Sequence, residues 1–318
     1  LVLNKYRITP LRILFHFNLK DIHMTSTLLV TCASGHLGQR VIHHLLDTLK
    51  VAPQRIIATT RKPETLKDLA AKGITVRGAD FDDAASLRSA FAGADRLLLI
   101  STDALDRPGR RLAQHQAAVA AAEQAGVAHV VYTSMPLPEN SPLLIAPDHA
   151  GTERALASSA LKGWTVLRNH WYFENLFMSL PSALASGQWY SAAEQGKVAY
   201  IARDDLALAA ATALLKDTGK NTYTLSGAEA FTTEQIAQQV SQATGKPLQV
   251  VHVPLAGLIQ GMVSAGFSEP LAAVFASFDT NTAAGRVAEV TGDFSKLTGV
   301  AAQPFADWLA ANAAALTA

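Results

Sequence analysis

Two hydrophobic periods take turns along this chain. Between residues 27 and 167, short runs of aliphatic and β-branched residues recur, and each is followed by a longer stretch with apolar residues at every third or fourth position. The first pattern is that of a buried strand, the second that of a helix with one apolar stripe. Strands are predicted at 27–31, 55–60, 74–79, 96–100, 127–133 and 164–167. Helices are predicted at about 36–50, from Pro63 through Ala71, from the Asp80-Phe81-Asp82-Asp83 cap to Phe91, at about 108–125 and at about 148–160. Residues 96–100 are almost continuously apolar, as a strand covered on both faces requires. Strand–helix alternation with short connections predicts an α/β chain with a doubly wound parallel sheet.

Past Leu167 the rhythm changes. A helix at about 173–186 ends at Gly187, short strands follow near 188–190 and 198–201, and a helix covers about 204–216. Another strand is expected at 221–225, a helix with capping-box chemistry from Thr232-Thr233-Glu234-Gln235, a strand at 250–253, and helices to the end. The expected organisation is a dinucleotide-binding domain over 24–170 and a smaller α/β substrate-binding part over 171–318, some of whose segments return to the first. Residues 1–23 carry Lys5, Arg7, Arg12 and Lys20 with no acid before Asp21, and are read as an extension outside the fold. They differ from a targeting presequence in lacking serine.

Composition narrows the class. Of the 318 residues 49% are hydrophobic and 17% charged, which describes a globular chain, not a disordered one. A net charge of +1 argues against a dedicated nucleic-acid binder, and no apolar run is long enough to span a membrane. One cysteine excludes an intrachain disulfide framework and fits a reducing compartment, the cytoplasm.

The candidate chemistry begins at the first strand, which runs into Thr31-Cys32-Ala33-Ser34-Gly35-His36-Leu37-Gly38. Strand, bare turn and helix in that order open a dinucleotide-binding βαβ unit, in which a pyrophosphate lies against amides at a helix N-terminus. Cys32 stands where the first glycine of such a turn is usual; it serves as a small filler or as a thiol activated by the helix end. Arg61 follows the second strand, where NAD-selective proteins carry an acid. A guanidinium there pairs with a 2′-phosphate, which points to NADPH, with NADH as the weaker alternative. Asp80 and Phe81 follow the third strand and would meet the adenine, unless the acids of that turn only cap the next helix. Ser101 and Thr102 end the fourth strand on the ribose side.

Tyr132-Thr133-Ser134 end the fifth strand, where short-chain dehydrogenases place a serine that polarises a carbonyl. In those enzymes Tyr-x-x-x-Lys follows on the next helix; here Ile145 and His149 stand at those two positions. His149 is a candidate ribose ligand or proton donor. After the sixth strand, Asn169 offers a hydrogen bond, and Trp171 and Tyr172 offer flat surface for a planar substrate. Packing between the two parts of the chain is the alternative for one or two of the rings at 171–173. No histidine, cysteine or carboxylate spacing supports a metal site.

Taken together, the turn at 31–38, Arg61-Lys62-Pro63, Gly73-Ile74-Thr75-Val76-Arg77, Leu97-Leu98-Leu99-Ile100-Ser101, Ala125-Gly126-Val127, Tyr132-Thr133-Ser134, Asp148-His149 and Leu167-Arg168-Asn169-His170-Trp171-Tyr172-Phe173-Glu174-Asn175 resemble the NmrA-like atypical short-chain dehydrogenases. The tail Leu297-Thr298-Gly299 with Phe305 and Trp308-Leu309 also fits. Resemblance runs from about Met24 to the C-terminus, and Cys32 and His170 depart from glycines common in the family. It implies a Rossmann domain, NADPH, and hydride transfer to a small planar quinone without the tyrosine–lysine pair. A homodimer is compatible with it. Two other roles lie within its range: non-catalytic sensing of NADP(H), and reduction of triphenylmethane-type dyes.

Overall fold

The computed structural model describes residues 25–317, so the predicted extension over 1–23 lies outside the described residues. Seven strands form one parallel sheet: β1 (Leu28–Val30), β2 (Ile56–Thr60), β3 (Thr75–Gly78), β4 (Arg96–Leu99), β5 (His129–Ser134), β6 (Gly163–Asn169) and, after β7 (Gln188–Ser191), β8 (Lys220–Leu225). Their order is β3-β2-β1-β4-β5-β6-β8, the doubly wound arrangement that the alternating pattern predicts. The register is continuous, with Val30 opposite Ala58 and Leu98, and Leu99 opposite Tyr132. Strand order reverses between β1 and β4, so a crevice opens there at the carboxyl ends of the strands.

The central strands are buried on both faces, and their side chains alternate between two cores. Leu28, Val30 and Leu98 enter one core with α1 (His36–His43) and α7 (Arg203–Lys216). Leu29, Leu97 and Leu99 enter the other, with α3 (Ala84–Phe91), α4 (Arg110–Gln124) and α5 (Ala146–Ser158). β8 and α7 come from the second half of the chain yet belong to the main sheet and its core, as β8 pairs with β6 over Trp164–Asn169.

A third core joins Trp171, Phe173, Phe305 and Trp308 to Met135, Leu143 and Ala146. Around it lie a two-stranded parallel sheet of β7 with β9 (Gln249–His252), and α8 (Thr233–Thr244). The capping box predicted for α8 is formed: Thr232 N–H donates to Gln235 Oε1 at 2.9 Å and Gln235 N–H to Thr232 Oγ1 at 3.3 Å. Residues 198–201 do not form the predicted strand; they make isolated bridges only, Ile201 to Tyr172 and Val198 to Phe231. The helix predicted at 173–186 is two pieces, a 3₁₀ segment Phe173–Met178 and α6 (Leu180–Ser186). Pro181 in the first turn of α6 has no N–H to continue a helix from upstream. The first predicted helix likewise splits, α1 giving way to a π turn at His44–Thr48 where His44 meets Asp204 of α7 at 2.9 Å.

Candidate active site

The crevice at the carboxyl ends of β1–β4 is a cleft of about 880 Å³. Of the residues singled out in the sequence, Cys32, Ser34, Gly35, His36, Leu37, Gly38, Arg61, Asp80, Phe81, Ser101 and Thr102 line it. Ser268, Pro270 and Leu271, from the start of the helix Glu269–Ala283, also line it.

The floor is the turn between β1 and α1. Gly35 N–H donates to Cys32 O at 2.9 Å, and Ala33 N–H ties the turn to Thr59 O at 2.9 Å. Gly38 sits so close beneath that a Cβ there would be 2.4 Å from Cys32 O and 2.8 Å from Ala33 Cα. Only glycine lets α1 approach β1 this closely, and that approach aims the first amides of α1 into the cleft. Cys32 takes φ +50°, the left-handed conformation that suits glycine. The activated-thiol reading is corrected here: burial pushes the Cys32 thiol up to about 11, against a smaller lowering by Thr31. It is a filler, with Sγ 3.9 Å from Ile100 O.

Around the rim, Arg61 is exposed at the end of β2. Asp80 accepts from Asp82 N–H at 3.0 Å, while the cap of α3 is Asp83, which accepts from Ala85 N–H at 2.8 Å. Asp80 is therefore not the helix cap. Phe81 is mostly buried in the second core and presents only its margin to the cleft. Asp82 is held near 2 by hydrogen bonds from Arg110 and then Gln114. Arg110 also grips Asp106, which pins the 103–110 segment along the rim.

Ala33, Ser134, His149, Asn169, Trp171 and Tyr172 do not line this cleft. Ala33 is fully buried beneath the turn. Ser134 donates to Glu153 at 2.6 Å, and Glu153 is paired with Arg168 at 2.6 Å, a tie between α5 and β6. His149 is 4% exposed, with Nδ1 2.9 Å from Tyr132 Oη and Nε2 3.0 Å from Arg111 Nη2. Burial and then the Arg111 charge hold it well below the usual imidazole range, so it is neutral and both its nitrogens are occupied. That arrangement corrects its reading as a ribose ligand or proton donor. Trp171 is 8% exposed and packs on Phe278 at 4.8 Å between ring centres, which makes it core, not a platform. Tyr172 is half-buried beneath Arg203, 5.5 Å from ring centre to guanidinium, and Asn169 is buried with its Oδ1 unpartnered.

The residues missed from the sequence lie on α4. Arg111, Gln114 and His115 are buried and all three bind Thr102. Their spacing carried a signal, for positions 111, 114, 115, 118 and 122 make one stripe of a helix, and the stripe is buried although three members are polar.

Known proteins share this fold. Quinone oxidoreductase 2 of Escherichia coli is 38% identical over 272 residues, spanning 85% of this chain and 93% of the relative. A crystal structure of the NADPH-dependent quinone oxidoreductase of that organism, complexed with NADPH, superposes with a TM-score of 0.83 at 36% identity, covering 89% of this chain and 98% of the other. Citrobacter sp. triphenylmethane reductase complexed with NADP(H) superposes at 0.81 with 33% identity, covering 90% and 99%. The model of the NmrA-like family matches residues 24–302, and the chain belongs to that family.

Proposed function

We propose that this chain reduces small quinones with NADPH by direct hydride transfer. The observation that carries the reading is the joining, in one cleft, of a bare glycine turn at a helix N-terminus with the exposed guanidinium of Arg61 at the end of β2. The turn suits a pyrophosphate and Arg61 a 2′-phosphate, one at each end of an adenosine ribose. Asp80 and Phe81 flank the adenine end; Ser101 and Thr102 flank the nicotinamide end. The Escherichia coli and Citrobacter relatives, at better than 30% identity over most of the chain, support the same cofactor.

When bound, NADPH supplies the hydride, and the chain's own residues position it. A quinone needs little help from an acid, since its reduced form is a stabilised hydroquinone, and placement near the hydride supplies most of the acceleration. This fits Ile145 and the buried neutral His149 at the places of the usual tyrosine and lysine. Of the two rings expected to meet the quinone, Trp171 is core, and Tyr172, beneath Arg203 past the end of β6, lies outside the lining of the cleft. The 24–170 part would hold the cofactor and the remainder would close over the quinone, with Ser268, Pro270 and Leu271 of that remainder lining the cleft. Among the described residues no helix is long and apolar enough to cross a membrane. Action in the cytoplasm, as a homodimer, completes the reading.

Purified protein given NADPH and a panel of quinones should oxidise NADPH only when a quinone is present. Tight NADPH binding with no turnover of any quinone would overturn the proposal and favour a sensor of the cofactor.

A further inference from the structure

Beyond Leu99 the β4 ladder ends, yet the next three backbone amides all stay paired, each to a side chain from a different element. Ile100 N–H donates to Thr31 Oγ1 at 2.9 Å, Ser101 N–H to Thr133 Oγ1 at 2.9 Å, and Thr102 N–H to His115 Nε2 at 3.0 Å. Thr102 is held at every polar atom: its carbonyl accepts from Arg111 Nε at 2.6 Å and its hydroxyl donates to Gln114 Oε1 at 2.7 Å.

The side chains that hold Thr102 on either side are themselves held from behind. Arg111 has only donors, so at 3.0 Å His149 Nε2 accepts from it and His149 Nδ1 carries the ring proton. That proton is directed to Tyr132 Oη at 2.9 Å. On the other side His115 Nε2 accepts from Thr102, so His115 Nδ1 carries a proton, which goes to Thr152 Oγ1 at 3.0 Å. Tyr132 Oη lies 3.4 Å from that same Nδ1, a packing contact only, since the one Nδ1 proton goes to Thr152. Arg111, His115, Tyr132 and His149 are all buried, and Asp148 stands 3.6 Å from the Arg111 guanidinium as its counter-charge.

We propose that buried side chains lock the backbone at Ser101–Thr102 against the dinucleotide, Thr133 and His115 on the two amides and Arg111, backed by His149 and Tyr132, on the Thr102 carbonyl, so that His115 is a positioning residue. The proposal rests on the NADPH reading above. Four buried polar side chains are costly to assemble, and a strand end needs no such device merely to stay folded. What they achieve is a residue anchored on both sides: the peptide before Thr102 is held at its N–H and the peptide after it at its carbonyl. Thr102 lines the cleft, so a fixed peptide spares the dinucleotide the cost of ordering that wall on binding.

The test is direct titration of NADPH fluorescence on the whole chain, with melting temperature recorded alongside. His115→Leu removes the acceptor of the Thr102 amide and should weaken NADPH binding about tenfold, as an unpaired buried amide does. His115→Gln, whose carbonyl can accept in the same place, should stay within roughly threefold of wild type. His129→Leu is the control, since His129 is equally buried but bonds Thr165 at the opposite end of β5. It should lower the melting temperature and leave NADPH affinity alone. In turnover, His115→Leu should raise KM for NADPH and leave KM for the quinone unchanged. Should His115→Leu fail to fold, Thr133→Val loosens the neighbouring Ser101 amide and should also weaken binding. Binding by either loosened variant as tight as wild type, or equal weakening by His115→Gln and His115→Leu, overturns the proposed backbone lock. Absence of NADPH binding to wild type overturns the cofactor reading on which it rests.

Discussion

Gly38→Ala tests the turn on which the cleft is built. The added methyl would lie 2.4 Å from Cys32 O, 2.8 Å from Ala33 Cα and 3.0 Å from the Cys32 carbonyl carbon. All three are backbone atoms, so no side chain can swing aside, and α1 must back away from β1 by about 1 Å to restore ordinary contact. Overpacking of this kind costs roughly 1–3 kcal/mol, and alanine's better helix propensity returns up to about 1 kcal/mol. With the full propensity gain, net destabilisation is about 0–2 kcal/mol. Binding should suffer more than stability. The amides at the start of α1 move with the helix, and charged hydrogen bonds of about 1.5–3 kcal/mol each are at stake, so one lost contact raises the Kd for NADPH about 10- to 100-fold. Fluorescence titration gives the Kd, and thermal melts with and without NADPH give the stability. Gly35→Ala calibrates the melt: its Cβ meets only Cys32 O, at 3.3 Å, at an ordinary φ of −78°, so its stability loss should be the smaller. Gly38→Ala with wild-type melting temperature and wild-type Kd would refute the argument that this glycine sets the helix position.

Other outcomes follow from the same structure. Arg61→Gln should weaken NADPH about tenfold or more and leave NADH unchanged, which parallel titrations of the two dinucleotides check. Cys32→Gly should keep NADPH binding and raise stability by roughly 0.5–1 kcal/mol, since glycine takes φ +50° without strain. With the thiol pushed up to about 11, alkylation of native Cys32 near neutral pH should be far slower than in the denatured chain. Acid should destabilise the fold early. Burial holds His115 near 3 and His129 and His170 near 4, so between those values and about 6.5 the unfolded chain takes up protons that the native one refuses. Each contributes a loss approaching 1.4 kcal/mol per pH unit as pH falls through that window. Asp205, raised by burial to about 6, runs the other way between about 4 and 6 and offsets one of them. Denaturant melts from pH 7 to 4 should show the net loss, and a flat profile would mean these histidines are not buried neutral.

Much of this was legible before the structure. Leu28–Val30, Ile56–Thr60 and Arg96–Leu99 stand out because strands covered on both faces carry runs of consecutive apolar residues, a local property of the sequence. The glycine turn and Arg61 were legible for the same reason, since their roles depend on position along a βαβ unit. What escaped the sequence depends on contacts between distant elements. β8 joins the main sheet through pairing with β6 across some 55 residues, and nothing within Lys220–Leu225 says which edge it will find. Trp171 and Tyr172 are neighbours, but one turns into the aromatic core and the other toward Arg203. His149 read as a site residue because its position in the helix was right; Tyr132 and Arg111, from β5 and α4, take both its nitrogens.

The central claim is that hydride passes directly from nicotinamide to quinone in this cleft. A single-turnover experiment tests it: protein loaded with one equivalent of NADPH is mixed with excess quinone, using cofactor with hydrogen or deuterium at the transferred position of nicotinamide C4. The account predicts one hydroquinone formed per NADPH consumed, and a slower reaction with deuterium. NADPH that stays bound and reduced in the presence of saturating quinone would contradict it.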